Sequence, residues 1–223
     1  MRMRNKPWAA PELDACPFFV RKPEAYSGRW HEFFPRRQPL HLELGCGKGV
    51  FLAELAPKTP EINYLGIDLK DTVLGPGKRL IEQAFHEYGK EPDNVVLTAH
   101  DIEQILTMMN EQDTVERIYI NFCNPWPKPK HWKRRLTHPR QLEKYKTFLA
   151  KDGEIWFKTD DENLFADSLH YMEESGFDIL RKTTDLHGEE HPEQFAELCM
   201  TEHEKMFLEK GIKIKAFIAK IRS

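Results

Sequence analysis

Residues 40–49 constrain the fold of this chain more than any other stretch. They read LHLELGCGKG, so an alternating apolar run typical of a strand leads directly into a turn with three glycines. Glycine adopts backbone conformations closed to other residues, and it lets a ligand approach without meeting a Cβ atom. Residues 50–56 then have the apolar spacing of a helix, whose first amide groups face the turn. This order of elements predicts a nucleotide-binding corner.

The glycine spacing indicates which nucleotide binds. A dinucleotide-binding turn reads G-x-G-x-x-G, whereas this turn reads E-x-G-x-G-x-G, the pattern of enzymes that use S-adenosylmethionine (SAM). Its fixed positions are Glu43, Gly45, Gly47 and Gly49. The next strand-like run ends on Asp68, a carboxylate suited to accept both ribose hydroxyls. A turn that only satisfies loop geometry, or an Asp that only caps a helix, is the weaker interpretation because Glu43 and Asp68 occur together.

Length and charge limit the remaining possibilities. At 223 residues the chain is long enough for one well-buried α/β core, so one domain is expected. The net charge of −3 excludes a uniformly basic coat for nucleic acid, and any such footprint is therefore local. Residues 1–37 hold eight basic side chains against four acidic ones, and a second basic cluster follows Pro127.

Cysteine usage and hydropathy indicate a cytoplasmic protein. The four cysteines, at 16, 46, 123 and 199, include no C-x-x-C pair, which argues against a zinc site and against a disulfide framework. The N-terminus lacks the apolar run of a signal peptide, and no stretch approaches membrane-spanning length. We therefore expect reduced thiols, no metal and no membrane contact.

Periodicity predicts an α/β core behind an irregular arm. Residues 1–38, rich in Pro, basic and aromatic residues, predict an arm that is ordered only against the core or a partner, and residues 39–223 predict a single domain. Candidate strands are 40–44, 64–67, 94–98, 117–122, 154–158, 177–183 and 212–221, and helical segments are 50–56, 77–89, 102–110, 138–150 and 161–175. This alternation predicts a mostly parallel seven-stranded sheet with helices on both faces and an edge or antiparallel strand at the C-terminus.

Polar residues follow the carboxyl ends of the predicted strands, where open sheets of this type bind ligands. These residues are Glu43, Asp68, Asp101, Asn124 and Asp160. We expect all five to border one crevice.

The loop after the fourth strand has the features of a nucleic-acid contact. Residues 124–127 read Asn-Pro-Trp-Pro, in which two prolines stiffen the backbone around Trp126. Residues 128–135 hold five Lys or Arg with aromatic residues between them, which favours phosphate contacts and base stacking. The alternatives are a turn that packs one Trp on the core and a solvated surface loop.

Residues 201–204, Thr-Glu-His-Glu, match a capping box at the start of a short helix. Capping is compatible with substrate binding, because guanine presents N–H donors on its pairing edge and carboxylates accept them. Asp160 and Glu204 are the candidate acceptors.

Together these motifs resemble the bacterial tRNA (guanine-N7-)-methyltransferases over nearly the whole chain. The resemblance rests on residues 2–8 (RMRNKPW), 43–49, the Pro-Trp-Pro-Lys loop with KRRL at 133–136, FKTD at 157–160 and TEHE at 201–204. It implies a Rossmann-like methyltransferase that transfers a methyl group from SAM to N7 of the guanosine at tRNA position 46, in the variable loop, and releases S-adenosylhomocysteine.

The resemblance also implies residue roles. Contacts to SAM fall on the glycine turn with Glu43, on Asp68 and Asp101, and on Asn124. Contacts to the substrate fall on Lys128, Asp160, Thr201, Glu202, His203 and Glu204. Contacts to RNA fall on Lys130, His131, Trp132, Lys133, Arg134 and Arg135. Whether the protein is a monomer or a homodimer is left open.

Asn124 departs from the family pattern, in which Asp-Pro-Trp-Pro is the common form and the Asp has both cofactor and catalytic roles. Guanine N7 carries no proton, so its methylation needs no general base, and alignment and exclusion of water are the main requirements. An Asn retains an acceptor oxygen but loses the negative charge. A positioning role is therefore expected in place of the catalytic one.

Three other functions compete with this one. Asn-Pro-Trp also resembles the Asn/Asp-Pro-Pro-aromatic loop of enzymes that methylate exocyclic nitrogens of DNA bases or protein amides, although the motifs at both termini count against it. A second alternative is a non-catalytic RNA-binding protein that retains a SAM pocket, and only Asn124 supports it. An NAD-dependent oxidoreductase is opposed by the glycine spacing.

Overall fold

The computed structural model describes residues 6–188 and 201–222, with the backbone alone for residues 202 and 203. The chain forms two compact units, residues 1–114 and 115–223. This boundary does not coincide with the division expected at residue 38, and a single domain over 39–223 stays a prediction.

Parallel strands form the sheet of the first unit, in the order β1-β4-β3-β2. The strands are β1 (Phe19–Val20), β2 (Leu40–Leu44), β3 (Asn63–Asp68) and β4 (Val95–Ala99). Leu44 of β2 lies opposite Ile67, and Asp68 of β3 lies opposite Ala99. Every residue of β2 is buried, as expected for a strand within a parallel sheet. The carboxyl ends of these strands meet at one edge, as predicted.

Three α-helices and three 3-10 helices complete the first unit. They are α1 (Ala9–Asp14), α2 (Val50–Leu55) and α3 (Asp71–Glu87), with 3-10 turns at Pro23–Tyr26, Trp30–Glu32 and Ile102–Thr107. Helix α3 begins six residues before the predicted start, because Pro76 lies inside the helix instead of ending it. Proline cannot donate to the carbonyl four residues earlier. That carbonyl, of Thr72, accepts instead from the ammonium of Lys6 over 3.1 Å.

Over residues 6–38, the part of the arm that the structure describes, the chain packs against the core of the first unit and includes α1, β1 and two 3-10 turns. Strand β1 pairs with β4, which places Phe19 opposite Leu97 and adds a strand that is not among those predicted. Trp30 is fully buried, and its indole N–H donates to the carbonyl of Met108 over 2.8 Å. Strand pairing and a buried aromatic side chain therefore dock the arm.

Carboxylates of the same unit engage many of the arm's basic side chains. The ion pairs are Arg21 with Asp14 and Asp71, Arg29 with Glu32, and Arg36 with Asp93. In one further pair the arm supplies the carboxylate: Arg79 of α3 pairs with Glu12 of the arm over 2.6 Å. The same guanidinium stacks 3.9 Å above the ring of Trp8. This pairing weakens the local basic footprint that composition suggests for residues 6–37.

The second unit has a mixed sheet in the order β5-β6-β8-β7. Its strands are β5 (Val115–Asn121), β6 (Leu149–Thr159), β7 (Phe177–Thr183) and β8 (Lys215–Ile221). β5 is parallel to β6, whereas β8 is antiparallel to both β6 and β7. The antiparallel C-terminal strand is thus confirmed. It lies inside the sheet and not at an edge, because it pairs with β6 on one side and with β7 on the other.

Helices α4 (Pro139–Tyr145), α5 (Glu162–Glu174) and α6 (Glu202–Glu209) and a 3-10 helix at Pro129–Arg134 join these strands. α4 ends before the predicted residue 150 because β6 begins at Leu149. None of the helices within the described residues is both long enough and apolar enough to cross a bilayer.

The close approach of α3 to the glycine turn gives a stability prediction. A Cβ atom on Gly77 would lie 2.8 Å from the carbonyl oxygen of Lys48. Alanine normally stabilises a helix relative to glycine by about 1 kcal/mol, but here we expect Gly77→Ala to lower the free energy of unfolding by about 1–3 kcal/mol through overpacking. Urea denaturation measures the change, and exposed Gln83→Ala in the same helix is the control. A more stable Gly77→Ala protein would contradict the close approach.

Candidate functional site

Left-handed glycines shape the turn after β2. Gly45, Gly47 and Gly49 have φ angles of 77°, 56° and 64°, values that other residues rarely adopt. A Cβ atom on Gly47 would meet nothing within 4 Å, so the turn has an open face there. Gly49 is the residue before α2, which begins at Val50 as the spacing predicts. The turn is therefore a cradle that a ligand can approach closely.

Asp68 holds this turn in place. Its Oδ2 accepts a hydrogen bond from the backbone N–H of Gly47 over 3.0 Å, and its Oδ1 accepts one from Lys70 over 3.3 Å. Burial raises the pKa of Asp68, although hydrogen bonds from Gly47, Lys70 and Leu69 act in the opposite direction. The predicted ribose acceptor thus also supports the loop next to it.

Two further carboxylates lie at neighbouring strand ends. Glu43 is 3% exposed and lies opposite Gly66 of β3. Asp101 is exposed and caps the 3-10 helix after β4, because its Oδ1 accepts from the N–H of Glu103 over 3.0 Å. The structure therefore brings Glu43, Asp68 and Asp101 to the same edge of the first unit's sheet.

This edge of the first unit fits SAM. The open face at Gly47 gives a ligand access to the backbone, and three carboxylates supply acceptors for ribose hydroxyls and an amino group. Within residues 6–188 and 201–222, no three His, Cys, Asp or Glu side chains are grouped as metal ligands.

The thiols near the predicted sites are free and protonated. Burial, together with the charges of Glu43 and Asp68, raises the pKa of Cys46 well above its usual value. Burial raises the pKa of Cys123, next to Asn124, to about 12. Cys16 is also free, whereas Cys199 lies outside the described residues.

The Asn124 loop of the second unit has an unusual backbone. Phe122 and Trp126 have φ angles of 52° and 45°, which are rare for aromatic residues and cost energy. The side-chain oxygen of exposed Asn124 accepts the N–H of Trp126 over 3.0 Å and so closes the turn. The side-chain oxygen of Asn124 thus forms a hydrogen bond within its own loop.

The basic segment after the loop forms the 3-10 helix Pro129–Arg134. The exposed cations are Lys128, Lys130, Lys133 and Arg134. Trp132 is 38% exposed, and the guanidinium of Arg134 lies 5.2 Å from the centre of the Trp126 ring. His131 lies 5.7 Å from the same ring. Cations and aromatic faces are available together, as RNA binding requires.

Arg135 has a different environment from its neighbours, and the prediction of an RNA contact for it needs correction. It is 2% exposed, its Nη1 pairs with Asp167 over 2.6 Å, and its Nε donates to the carbonyl of Pro125 over 2.8 Å. A guanidinium that is buried and paired in this way joins the Asn124 loop to α5 and is not available to a phosphate.

Glu204 also differs from its predicted role as a guanine acceptor. It is fully buried, and its Oε2 accepts from Lys158 Nζ over 2.6 Å and from the N–H of Thr201 over 2.7 Å. Its Oε1 lies 3.1 Å from His187 Nε2. The predicted capping box between Thr201 and Glu204 is confirmed. A base has no access to this carboxylate without disrupting the pair.

Of the two candidate guanine acceptors, Asp160 and Glu204, Asp160 remains accessible. It follows β6 and is half-buried, and the Lys215 ammonium donates to its backbone carbonyl over 3.1 Å. The side chains of Glu202 and His203 lie outside the described part of the chain. The sequence analysis gave no role to Lys158. A lysine within the apolar run of β6 could have indicated a buried, paired side chain.

Known proteins resemble this chain in sequence and in fold. A family model described as a putative methyltransferase matches residues 37–217. The tRNA (guanine-N(7)-)-methyltransferase of Clostridium beijerinckii is 58% identical over 98% of both chains, and the protein of the same name from Acetivibrio thermocellus is 51% identical over 98% of this chain and 99% of its own.

Solved structures agree at the level of the fold. The 16S rRNA methyltransferase KamB superposes with a TM-score of 0.62 at 12% identity, covering 87% of this chain and 93% of its own. An antibiotic-related methyltransferase gives 0.58 at 17% identity, covering 86% and 90%. The predicted Rossmann-like methyltransferase fold is confirmed, and the chain belongs to the tRNA (guanine-N(7)-)-methyltransferase family.

Proposed function

We propose that this chain methylates N7 of the variable-loop guanosine of tRNA with SAM as the methyl donor. One observation carries the proposal: similarity to proteins named for this reaction extends over 98% of the chain. The carboxylates around the glycine turn support the choice of donor, and the exposed cations and aromatic residues of 126–134 support the choice of acceptor. The partner tRNA implies a cytoplasmic enzyme, active as a monomer or a homodimer.

The reaction requires the alignment of guanine N7 with the methyl donor more than it requires proton transfer. When bound, SAM supplies a methyl group on a positively charged sulfur, which the in-plane lone pair of N7 attacks. Because N7 carries no proton, the protein needs no general base and must orient the base and exclude water. Glu43, Asp68 and Asp101 would hold the donor, with the glycine turn against it.

Asp160 and Asn124 have separate roles in this proposal. Asp160 would accept the N1–H and N2–H donors of guanine, which selects guanine over adenine. Its charge would also stabilise the positive charge that methylation places on the base. Asn124 would hold the loop in its left-handed turn, because its oxygen accepts the N–H of Trp126.

The same hydrogen bond weighs against an exocyclic amino-group methyltransferase. Such an enzyme must accept a proton from the amino group that it methylates. The side-chain oxygen of Asn124 already accepts one hydrogen bond, from Trp126, which leaves a single lone pair for such an amino group and weakens the resemblance to the Asn/Asp-Pro-Pro-aromatic loop. Turnover of labelled SAM with tRNA tests the non-catalytic alternative.

We expect loss of a carboxylate at the glycine turn to weaken SAM binding. Glu43→Ala and Asp68→Ala should each cost about 1.5–3 kcal/mol, the range for charge-assisted hydrogen bonds. Asp68→Asn is the informative comparison, since it retains an oxygen for the N–H of Gly47 and removes only the charge. Calorimetry measures the affinities, with Glu54→Ala as the control, because this carboxylate lies on α2 and pairs with Lys58. Unchanged affinity in both Ala variants would refute the assignment.

Two groups of basic variants should behave differently toward tRNA. Replacing Lys130, Lys133 and Arg134 together by Ala should weaken binding and flatten its salt dependence, because fewer counterions are released. Arg135→Ala should instead lower the free energy of unfolding by about 1–3 kcal/mol, because it removes a buried guanidinium that donates to Asp167 and to the carbonyl of Pro125. Titrations at several salt concentrations, with urea denaturation, separate the two. An unchanged salt slope in the triple variant would show that the segment is only a solvated surface.

The product and the Asn124 variants test the chemistry. An N7-methylated guanosine carries a fixed positive charge, and its ring becomes labile to reduction and alkali, so treated tRNA should break at one guanosine of the variable loop. Asn124→Ala should lower kcat because the turn loses its hydrogen bond, whereas Asn124→Asp should stay active because a carboxylate also accepts the N–H of Trp126. An Asp variant as slow as the Ala variant would instead indicate a need for the amide donor.

A further inference from the structure

A buried ion pair in the second unit has no part in the roles described so far. Lys158 Nζ donates to Glu204 Oε2 over 2.6 Å, and both side chains are fully buried. Removing two charges from water is costly, and apolar residues of similar volume often stabilise a protein as well or better. Unlike apolar packing, such a pair fixes the relative position of the two segments that carry the charged side chains.

Lys158 lies at the junction of three segments that carry substrate residues in the proposed function. Its backbone carbonyl accepts from the N–H of Phe122 over 2.9 Å, two residues before Asn124. Its side chain reaches Glu204 at the start of α6. Two positions further along β6 the chain arrives at Asp160. One residue thus connects the Asn124 loop, Asp160 and the capping box.

Glu204 fixes the start of α6 from the other side. The Thr201 hydroxyl accepts the N–H of Glu204 over 3.2 Å, while Glu204 Oε2 accepts the N–H of Thr201. One turn later, the ring of Phe207 lies 5.7 Å from that of Phe122. A polar contact therefore ties the first turn of α6 to β6, and an aromatic contact ties the next turn to Phe122, two residues before Asn124.

We propose that Lys158 and Glu204 are positioning residues, whose ion pair holds the start of α6 against the strand ends that carry Asn124 and Asp160. Glu204 acts on methyl transfer through this geometry and does not contact guanine. The inference rests on the proposed function. It makes the ion pair replaceable by a neutral pair of the same shape, which a direct contact between the Glu204 carboxylate and the base does not allow.

The test compares Lys158→Met, Glu204→Gln and the double variant in the full-length enzyme. Met preserves the volume of the lysine chain, and Gln preserves an oxygen for the N–H of Thr201. Glu204→Gln removes the carboxylate beside the buried Lys158 ammonium, and Lys158→Met leaves the buried Glu204 carboxylate to His187 and the N–H of Thr201. We therefore expect kcat to fall at least about ten-fold in each single variant, with KM for tRNA changed less than about three-fold. The double variant should recover to within about five-fold of the parent kcat, since coupled residues are not additive.

The matched control applies the same substitutions to an exposed ion pair. Lys146 and Glu143 lie 2.7 Å apart on or next to α4 with both side chains accessible, so Lys146→Met with Glu143→Gln should leave kcat unchanged. If a single variant does not fold, the double variant alone decides. A folded double variant at least about a hundred-fold slower than the parent would overturn the proposal, because the charge of Glu204 would then act on the base. Parent-like kcat in both folded single variants would overturn it as well.

Urea denaturation of the four proteins separates this inference from the proposed function. The coupling free energy between Lys158 and Glu204 is measured without any substrate. Failure of the parent enzyme to form N7-methylguanosine in tRNA would refute the function. Formation of that product by the parent, together with a double variant that does not recover, would refute the positioning role alone.

Discussion

Parallel pairing of β2, β3 and β4 is the constraint on which the candidate cofactor site depends. Parallel strands need a crossover between them, and each crossover returns the chain so that every strand ends at the same edge. Glu43, Asp68 and Asp101 are far apart in sequence but lie at neighbouring strand ends for this reason. Crossover α2 also requires the left-handed glycine turn that begins it. The ligand cradle and the sheet are consequences of the same topology.

The regular elements could be predicted because their signal is local. The alternating run of β2 and the pattern of β7 gave both strands with the bounds that the structure has. The capping box at Thr201 was equally readable, because its two members are three residues apart. These features depend on neighbours in the sequence, which is where periodicity and capping rules apply.

The errors arose where a distant partner decides the outcome. The predicted helical segment began at residue 77, after Pro76, but α3 continues through the proline because Lys6, 66 positions before Thr72, donates to the carbonyl that the proline cannot serve. Arg135 looked like its basic neighbours in the sequence, but in the fold it is buried and bonded to Asp167 and Pro125. Glu204 looked like a free acceptor until Lys158 was found beside it. No spacing rule reports such pairings, which are properties of the folded chain.

The protonation state of Cys46 has a consequence for chemical selectivity. A methyl donor is an electrophile, and a thiolate is among the strongest nucleophiles a protein offers. Cys46 lies within the turn proposed to hold that donor, yet burial and the negative charges of Glu43 and Asp68 keep it as a thiol. The same carboxylates that would bind the donor therefore suppress self-alkylation of the enzyme. The Cys46 sulfur can lie beside a reactive methyl group because it stays protonated, and a neutral thiol is a much weaker nucleophile than a thiolate.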